Sequence, residues 1–389
     1  MTRIADVVEM TFGFAFKSAE FSEAADDVRL LRGDNIAQGR LRWNGVKRFP
    51  AYRVDEVGRY QLAVGDVVVA MDRPWIEAGL KYSVVREEDV PSLLVQRVAR
   101  LRTKSDSLDQ GFLGLLIGSA AFTNYVIGVQ TGSAVPHISG RQIGDFEFVL
   151  PPIEVQRAIA ATLGALDGKI ESNMRLVTLV SDLIDTHSEK HGAGLPTVPL
   201  GDIAAPVKES LNPSKLGDTQ VDHYSLPAFD RDARPERVAA SSIMSNKLKV
   251  PKQAILLSRL NPRFNRTWWA AALSELPALA STEFLVLTAE DEQRLAAVWL
   301  ALRDPFFRGE IPKRVTGTSG SHQRVKPDDV LAIEVPDFTS APTVLKESAL
   351  AMLKRSESLR AESARLSALR DALLPELLSG RLRASVGTL

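Results

Sequence analysis

The stretch IEVQRAIAATLGALDGKIESNMRLVTLVSDLIDTHSEKH, residues 153–191, decides the fold of this chain. Its apolar residues recur at the three- and four-residue steps of a heptad seam: Ile159, Leu163, Leu166, Ile170, Val177, Val180 and Ile184. The one vacancy in the seam is Asn173, and a buried Asn at such a position lowers stability but fixes register and partner. The pattern predicts a helix over 153–190, about 57 Å long at a rise of 1.5 Å per residue.

A second heptad pattern lies between about Thr343 and Leu374. Large apolar residues recur there at every seventh position: Leu345, Met352, Leu359, Leu366 and Leu373. The intervening seam positions carry small residues (Ala349, Ser356 and Ser363), which let two helices approach closely. We expect the two long helices to pack on each other in antiparallel orientation, because one module cannot bury all of so long a helix. The alternative is that each helix only covers its own module.

The rest of the chain is an internal repeat. Residues 112–152 align without gaps on residues 297–337. The matched pairs include Leu115/Leu300, Phe122/Phe307, Thr131/Thr316, Gly132/Gly317, His137/His322, Arg141/Lys326, Phe146/Leu331, Phe148/Ile333, Leu150/Val335 and Pro151/Pro336. Further upstream, Val67–Ala70 resembles Ile255–Ser258, and Pro74 falls on Pro262. Short β-type runs separated by Gly, Pro, Asn and Asp dominate both copies.

These patterns together predict an α+β chain. Two repeated, mostly β modules are separated by two long, antiparallel, coiled-coil-like helices, with an approximate twofold relation. The predicted boundaries are residues 1–150 for the first module, 151–194 for the first long helix, 195–336 for the second module, and 337–389 for the second long helix and the C-terminal tail.

Composition excludes several classes of function. The 48 basic and 48 acidic residues balance, so a uniformly basic nucleic-acid coat is excluded, although local basic faces are not. Cysteine is absent, which removes disulfides, thiolate catalysis and Cys-ligated metal sites. We find no phosphate-binding loop, dinucleotide fingerprint or zinc-protease motif, and Asn261-Pro262-Arg263-Phe264 lacks the second proline of a methyltransferase tetrad. We expect a non-catalytic, cytoplasmic protein that holds no metal or cofactor.

Two local clusters of basic residues point to DNA. Residues 29–53 carry seven basic residues and one acid, and RLNPRFNR, residues 259–266, places arginines beside asparagines. Arg offers a bidentate fork to guanine and to phosphate, and Asn pairs with adenine edges. The candidate DNA-binding residues are Lys17, Arg32, Asn35, Arg40, Arg42, Arg73, His137, Arg141, Arg259, Asn261, Arg263, Asn265, Arg266, His322 and Arg324. For the repeated histidines, a structural hydrogen bond is the alternative to a contact with a partner.

Several motifs, in this order and spacing, resemble those of one family, the specificity (S) subunits of type I restriction–modification systems. They are FGFAFKS (12–18), LRGDNI (31–36), AVPHIS (134–139), LPPIEVQ (150–156) and LRDALLPELLSGRL (369–382). The resemblance implies that each module is a target recognition domain, which binds one half of a bipartite site in double-stranded DNA. The long helices would then act as the spacer between the half-sites.

The resemblance also implies partners. Two modification (methyltransferase) subunits carrying S-adenosylmethionine would dock on the helices, and restriction (translocase/nuclease) subunits using ATP and Mg would join them. The candidate docking and seam residues are Gln156, Ile159, Leu163, Leu166, Ile170, Asn173, Leu345, Met352, Leu359 and Leu366. The second long helix is preceded by VPDFTSAP, residues 335–342, which lacks the Glu and Gln of the first helix start. Either the two docking sites are unequal, or the Glu and Gln only cap the helix.

Two other interpretations stay open at this point. The chain could be a recognition subunit of a related system in which methylation and cleavage are organised differently. It could also be a structural adaptor that joins two protein partners and does not bind DNA.

Overall fold

The computed structural model describes residues 1–132, 134–271, 274–315 and 323–383. The chain divides into two compact units: unit 1 is Met1–Ile170 with Ala364–Leu389, and unit 2 is Glu171–Ser363. Each unit contains one module together with part of each long helix, which run over Ile153–Gly192 and Thr343–Leu378.

Unit 1 is built on an antiparallel four-stranded sheet with the strand order Val8–Phe12, Val98–Thr103, Val67–Ala70, Tyr82–Val84. A smaller sheet orders Arg48–Phe49, Val28–Leu31 and Ser92–Leu94, the last pair being parallel. The remaining strands form two-stranded pairs: Thr2–Arg3 with Glu147–Phe148, and Trp75–Ile76 with Gly79–Leu80. The helices that precede the first long helix are Ile4–Val7, Gln110–Ile117, Ala120–Val129 and Gly140–Gly144.

The core of unit 1 lies between the four-stranded sheet and the helices Gln110–Ile117 and Ala120–Val129. The continuous Val67–Ala70 strand is buried along its whole length, because apolar residues occupy both of its faces. Phe112 and Phe122 fill the space beneath the sheet and are almost completely buried. These helices therefore fix the sheet whose strand ends carry the candidate site.

Unit 2 repeats this plan. Its main sheet has the order Ala205–Pro206, Phe284–Thr288, Gln253–Ser258, Thr267–Ala271, again antiparallel. A second sheet orders Ser210–Leu211, Lys247–Lys249, Ala278–Ala280, Gln220–Tyr224 and Glu236–Ala239, and Thr197–Pro199 pairs with Glu334–Pro336. The helices of the module are Leu200–Ile203, Leu226–Asp232, Glu292–Arg303, Pro305–Glu310 and Pro327–Leu331.

The structure confirms the upstream part of the repeat and corrects the downstream part. Ala70 N–H donates to Lys81 O in unit 1, and Ser258 N–H donates to Arg266 O in unit 2, so Val67–Ala70 and Ile255–Ser258 are equivalent. Downstream, Ile4 N–H donates to Phe146 O, and its counterpart Leu200 N–H donates to Ile333 O. Phe146 is therefore equivalent to Ile333, not to Leu331.

The same two-residue correction applies to the histidine. Asp72 bridges to His137 across two backbone segments, and the equivalent bridge in unit 2 joins Leu260 to Arg324. Arg324 thus occupies the position that the sequence alignment gave to His322, which lies outside the described residues. The alignment followed matching Thr-Gly and His residues, whereas the backbone register follows the buried residues on either side.

The long helices pack in antiparallel orientation within each unit. In unit 1, Asp167 of the first helix lies 2.8 Å from Arg370 of the second, and Leu163 shares a core with Leu377. In unit 2, Asn173 Nδ2 donates to Glu362 Oε2 at 3.0 Å, and Ile184 shares a core with Leu353. Both helices extend slightly beyond their predicted ends, and the second continues through Pro375 to Leu378.

Within the described ranges, no single helix is long and apolar enough to cross a membrane. The bent pair Gln110–Ile117 and Ala120–Val129 passes that test of length and composition only when its two helices are taken together.

Candidate nucleic-acid interface

A charged cleft of about 500 Å³ opens on unit 1, where three chain segments leave the sheets. Arg73 follows the strand Val67–Ala70, and Arg97 precedes the strand Val98–Thr103. Arg32 follows the strand Val28–Leu31 of the smaller sheet. The cleft is lined by Phe16, Ser18, Phe21, Arg32, Gly33, Asp34, Asp72, Arg73, Lys81, Val95, Gln96, Arg97 and Val135.

Two of these arginines have left-handed backbones. The φ angle is 45° at Arg73 and 68° at Arg97, a region that side chains other than Gly, Asn and Asp seldom adopt. The conformations are held by backbone hydrogen bonds, from Arg73 N–H to Pro136 O at 2.7 Å and from Met71 N–H to Arg97 O at 2.8 Å. Backbone strain of this kind concentrates at functional sites, where the surrounding structure holds it in place.

The cleft combines free and paired charges. Arg32 and Arg73 are exposed, and His137 Nδ1 lies 2.7 Å from Asp72 Oδ1. Arg97 Nε lies 3.7 Å from the second oxygen of Asp72. Of the two interpretations of His137, this geometry favours the structural hydrogen bond, which holds the Asp72 carboxylate beside Arg97.

The other candidates of unit 1 lie around the cleft or on its flanks. Lys17 is exposed between the lining residues Phe16 and Ser18. Asn35 Oδ1 accepts from Arg32 N–H at 3.1 Å, and Asn35 Nδ2 donates to Arg42 O at 3.0 Å, so its amide ties the turn together.

Three further arginines of unit 1 are on the predicted list. Arg40 and Arg42 are exposed on the segment that follows the Asn35 turn. Arg141 is exposed on the helix Gly140–Gly144, with its Nε 3.6 Å from Asp145.

In unit 2 the equivalent turn is the Pro262–Phe264 segment. Asn261 and Asn265 flank it with φ angles of 48° and 44°, and Asn is among the residues that tolerate this region. Because Pro262 is equivalent to Pro74, the left-handed Asn261 stands in the place of the left-handed Arg73. The guanidinium of Arg263 lies 4.7 Å from the centre of the exposed Phe264 ring.

Most other predicted cations of unit 2 are engaged inside the unit. Arg266 donates to both oxygens of Asp230, at 2.6 and 2.9 Å, and Arg324 donates to both oxygens of Glu283, at 3.0 and 2.7 Å. The hydrogen bonds from Arg324 lower the pKa of Glu283. Arg259 Nη2 donates to Thr282 O at 2.6 Å. Arg263 is thus the candidate arginine of this segment whose side chain makes neither an ion pair nor a hydrogen bond among the described residues.

The structure also shows where side chains outside the predicted list lie. Trp268 and Trp269, next to the basic turn, are core residues with 3% and 4% exposure and are not available for stacking on bases. Lys81 and Arg97 line the cleft but were not predicted. Nothing in the local pattern around Lys81 distinguishes a buried lysine from a surface one.

The seam residues of the long helices face inward. Ile159, Leu163, Asn173 and Leu359 are buried, while Leu166, Ile170, Leu345, Met352 and Leu366 are half-buried. A different apolar stripe faces outward, since Leu176, Leu179 and Leu183 are 41%, 62% and 45% exposed.

Gln156 is fully buried at the start of the first long helix. Its amide nitrogen donates to Ser107 O at 2.9 Å and to Pro151 O at 2.7 Å, and its oxygen accepts from Asp109 N–H at 2.9 Å. Gln156 therefore ties the helix to its own module, and its amide is inaccessible to a docking partner.

Comparison with known proteins agrees with this architecture. Residues 1–178 match the model of the type I restriction modification DNA specificity domain. The chain is 34% identical over 164 residues to the type I restriction enzyme EcoAI specificity subunit of Escherichia coli. It is 31% identical over 171 residues to the MjaVIII specificity subunit of Methanocaldococcus jannaschii. These alignments cover 42% and 44% of this chain but only 27% and 40% of the relatives.

The fold of the whole chain has a solved counterpart. A type I restriction–modification S subunit from M. genitalium superposes with a TM-score of 0.58 at 14% identity, covering 97% of this chain and 95% of the other. The first part of the chain is therefore similar to the type I restriction modification DNA specificity domain, and the chain as a whole has the fold of that solved S subunit. The resemblance to type I specificity subunits that the motifs indicated is confirmed, by sequence for residues 1–178 and by fold for the chain.

Proposed function

We propose that this chain is a DNA-specificity subunit that recognises a bipartite site in double-stranded DNA, one half through each module. One observation carries the proposal: each module has an exposed arginine on the turn that follows the equivalent strand of its main sheet, Val67–Ala70 in unit 1 and Gln253–Ser258 in unit 2. In unit 1 the turn contains Arg73, and in unit 2 it contains Arg263. Two copies of one backbone scaffold suit a ligand that offers two half-sites.

Electrostatics supports DNA as that ligand, despite the neutral total charge. Phosphate contacts supply much of the affinity of proteins for DNA and make binding weaken as salt rises. Unpaired cations on the turns can contact either phosphates or base edges. If the chain were only a structural adaptor, it would not bind duplex DNA. Measuring its binding to duplex DNA at several salt concentrations therefore distinguishes the DNA-specificity interpretation from the adaptor interpretation.

Partner subunits would carry the chemistry. We propose that modification subunits dock on the long helices and bring S-adenosylmethionine, while restriction subunits bring the ATP- and Mg-dependent steps. The outward-facing stripe Leu176, Leu179 and Leu183 supports docking on the first long helix, because contiguous exposed apolar side chains mark interaction surfaces. The buried seam residues would hold the helices together and set the spacing.

The decisive experiment maps adenine methylation in the host genome with the gene present and deleted. Loss of a two-part motif with a fixed gap on deletion would support the proposal and identify both half-sites. An unchanged methylome, with the protein and its partners expressed, would contradict it. A Leu179→Asp variant tests docking separately: it should fold normally, because Leu179 is exposed, yet lose co-purification with the modification subunit.

A further inference from the structure

Lys81 is a buried cation at the floor of the unit 1 cleft. Its backbone is fixed on both sides, since Lys81 N–H donates to Pro74 O at 2.7 Å and Lys81 O accepts from Ala70 N–H at 3.0 Å. The residue is only 7% exposed, yet its side chain lines the cleft. The fold thus places a buried lysine on the wall of a cleft that opens toward one surface.

The ammonium of Lys81 makes no hydrogen bond or ion pair with any residue that the structure describes. A buried charge without a partner is costly, so such groups are normally paired. The equivalent residue of unit 2 illustrates the paired case: Arg266 is neutralised by both oxygens of Asp230. In unit 1, Lys81 occupies the position that Arg266 has in unit 2, but no carboxylate of the described residues contacts its ammonium group.

The surroundings of Lys81 favour an anion. Four cations and two carboxylates line the cleft, so positive charge is in excess. One carboxylate, Asp72, is already engaged by His137 and Arg97. Burial lowers the pKa of the Lys81 ammonium, Asp34 and Asp72 raise it, and Arg73 lowers it. A bound anion would favour the charged form.

We propose that Lys81, together with Arg32 and Arg73, forms a phosphate-binding site that takes one backbone phosphodiester of DNA. The assignment rests on the proposed function for its ligand, but not for the existence of the site. The two guanidinium groups can each present a planar pair of donors to phosphate oxygens, and Lys81 supplies a point charge beneath them. A contact of this kind positions the duplex and carries no base specificity.

The first test uses inorganic phosphate on the full chain. Melting temperatures of the wild type, Lys81→Met and the control Lys104→Met are measured in phosphate and in chloride at equal ionic strength. Lys104 is exposed at the end of strand Val98–Thr103 opposite to Arg97, so the control removes one charge outside the cleft. Phosphate should raise the melting temperature of the wild type and the control more than that of Lys81→Met.

In chloride alone, Lys81→Met should melt no lower than the wild type, because it removes an unpaired buried charge. An equal response of Lys81→Met and the wild type to phosphate would overturn the proposal. So would a loss of the response in Lys104→Met as well, because the effect would then not be local to the cleft.

The second test uses a 30-base-pair duplex of mixed sequence and measures affinity over a range of salt concentrations. Lys81→Met should reduce the slope of log affinity against log salt by about 1, and Lys104→Met should leave it unchanged. A phosphate response that depends on Lys81, in a wild-type chain that does not bind the duplex, would contradict the proposed function and the phosphodiester assignment while leaving an anion site. Duplex binding with the same slope in Lys81→Met would overturn the inference alone.

Discussion

The cleft of unit 1 and the basic turn of unit 2 share a backbone but not a charge pattern. Arg73 and Asn261 are left-handed at equivalent positions. Arg73 N–H donates to Pro136 O, and Asn261 N–H donates to Gln323 O, each acceptor lying a few residues before a short helix. Met71 N–H donates to Arg97 O, and the equivalent Arg259 N–H donates to Glu283 O, so an arginine in one unit corresponds to a glutamate in the other.

A side-chain contact between an acid and a basic residue is therefore present across this site in both units, but the acid comes from a different position in each. In unit 1 the acid is Asp72 and the bridged residue is His137; in unit 2 the acid is Glu283 and the bridged residue is Arg324. Backbone hydrogen bonds fix the position of the turn, whereas the side chains on it are free to differ. Such an arrangement suits two modules that present one scaffold to two different half-sites.

The largest expected effect concerns the attachment of the first long helix. Gln156→Ala would leave two part-buried carbonyls and one part-buried N–H of unit 1 without their partner, which should lower the free energy of unfolding by about 3 kcal/mol. Urea denaturation checks this. Glu154→Ala, an exposed change on the same turn, is the control and should cost less than about 0.5 kcal/mol. Equal losses would mean that Gln156 is not the tie between helix and module.

A pH-dependent effect is expected in unit 2. Burial raises the pKa of Glu357 to about 7, against the weaker opposing influence of Arg360 and Arg234. Its side chain lines a cavity of about 320 Å³ together with Tyr224, Asp222 and Arg360. Since the folded pKa exceeds the unfolded value, the folded state binds more protons between about pH 4.5 and 7, and stability falls as pH rises through that window.

The loss from this one group is at most about 3 kcal/mol above pH 7. Glu357→Gln should remove this component, so that the melting temperature of the variant declines less between pH 5 and 7.5 than that of the wild type. Parallel declines would show that Glu357 titrates normally.

Substitutions of Arg263 and Arg324 test whether the basic turn of unit 2 reads base edges or contacts phosphates. Arg263→Ala should weaken binding to the cognate duplex by about 1–3 kcal/mol if Arg263 reads a base edge, or equally on all sequences if it contacts phosphate. Arg324 is held by Glu283, so Arg324→Ala should change binding less than Arg263→Ala does. Fluorescence anisotropy on cognate and scrambled duplexes measures both. A larger loss for Arg324→Ala would reverse the assignment.

The helices and the repeat could be predicted from the sequence because their signals are periodic. The seam around Asn173, the antiparallel pairing and the strand Val67–Ala70 each follow from spacing and burial, and the structure has them. The downstream register could not be predicted reliably, because the matching Thr-Gly and His residues of the two copies suggested an alignment two residues away from the buried positions that fix it.

The candidate site was predictable only in outline. The sequence placed Arg73 and Arg263 among the candidate DNA-binding residues, but it could not show that Arg266 and Arg324 have carboxylate partners distant in sequence. It also missed Lys81, because the burial of one cation depends on three segments that meet only in the fold. Pairing and burial, rather than residue type, decide which cations are available to a ligand.

The smallest expected effect tests the left-handed backbone itself. Arg73→Gly should raise the stability of unit 1 by up to about 1 kcal/mol, because glycine adopts a φ of 45° without the steric cost that arginine bears there. Asn261→Gly should gain less in unit 2, since asparagine tolerates this region. Arg73→Ala keeps the strain and should be less stable than Arg73→Gly, while both should bind duplex DNA more weakly than the wild type. Urea denaturation of the three variants ranks them. If Arg73→Ala matched Arg73→Gly in stability, the backbone at Arg73 would carry no strain, and the left-handed position shared by the two units would be a matter of turn geometry alone.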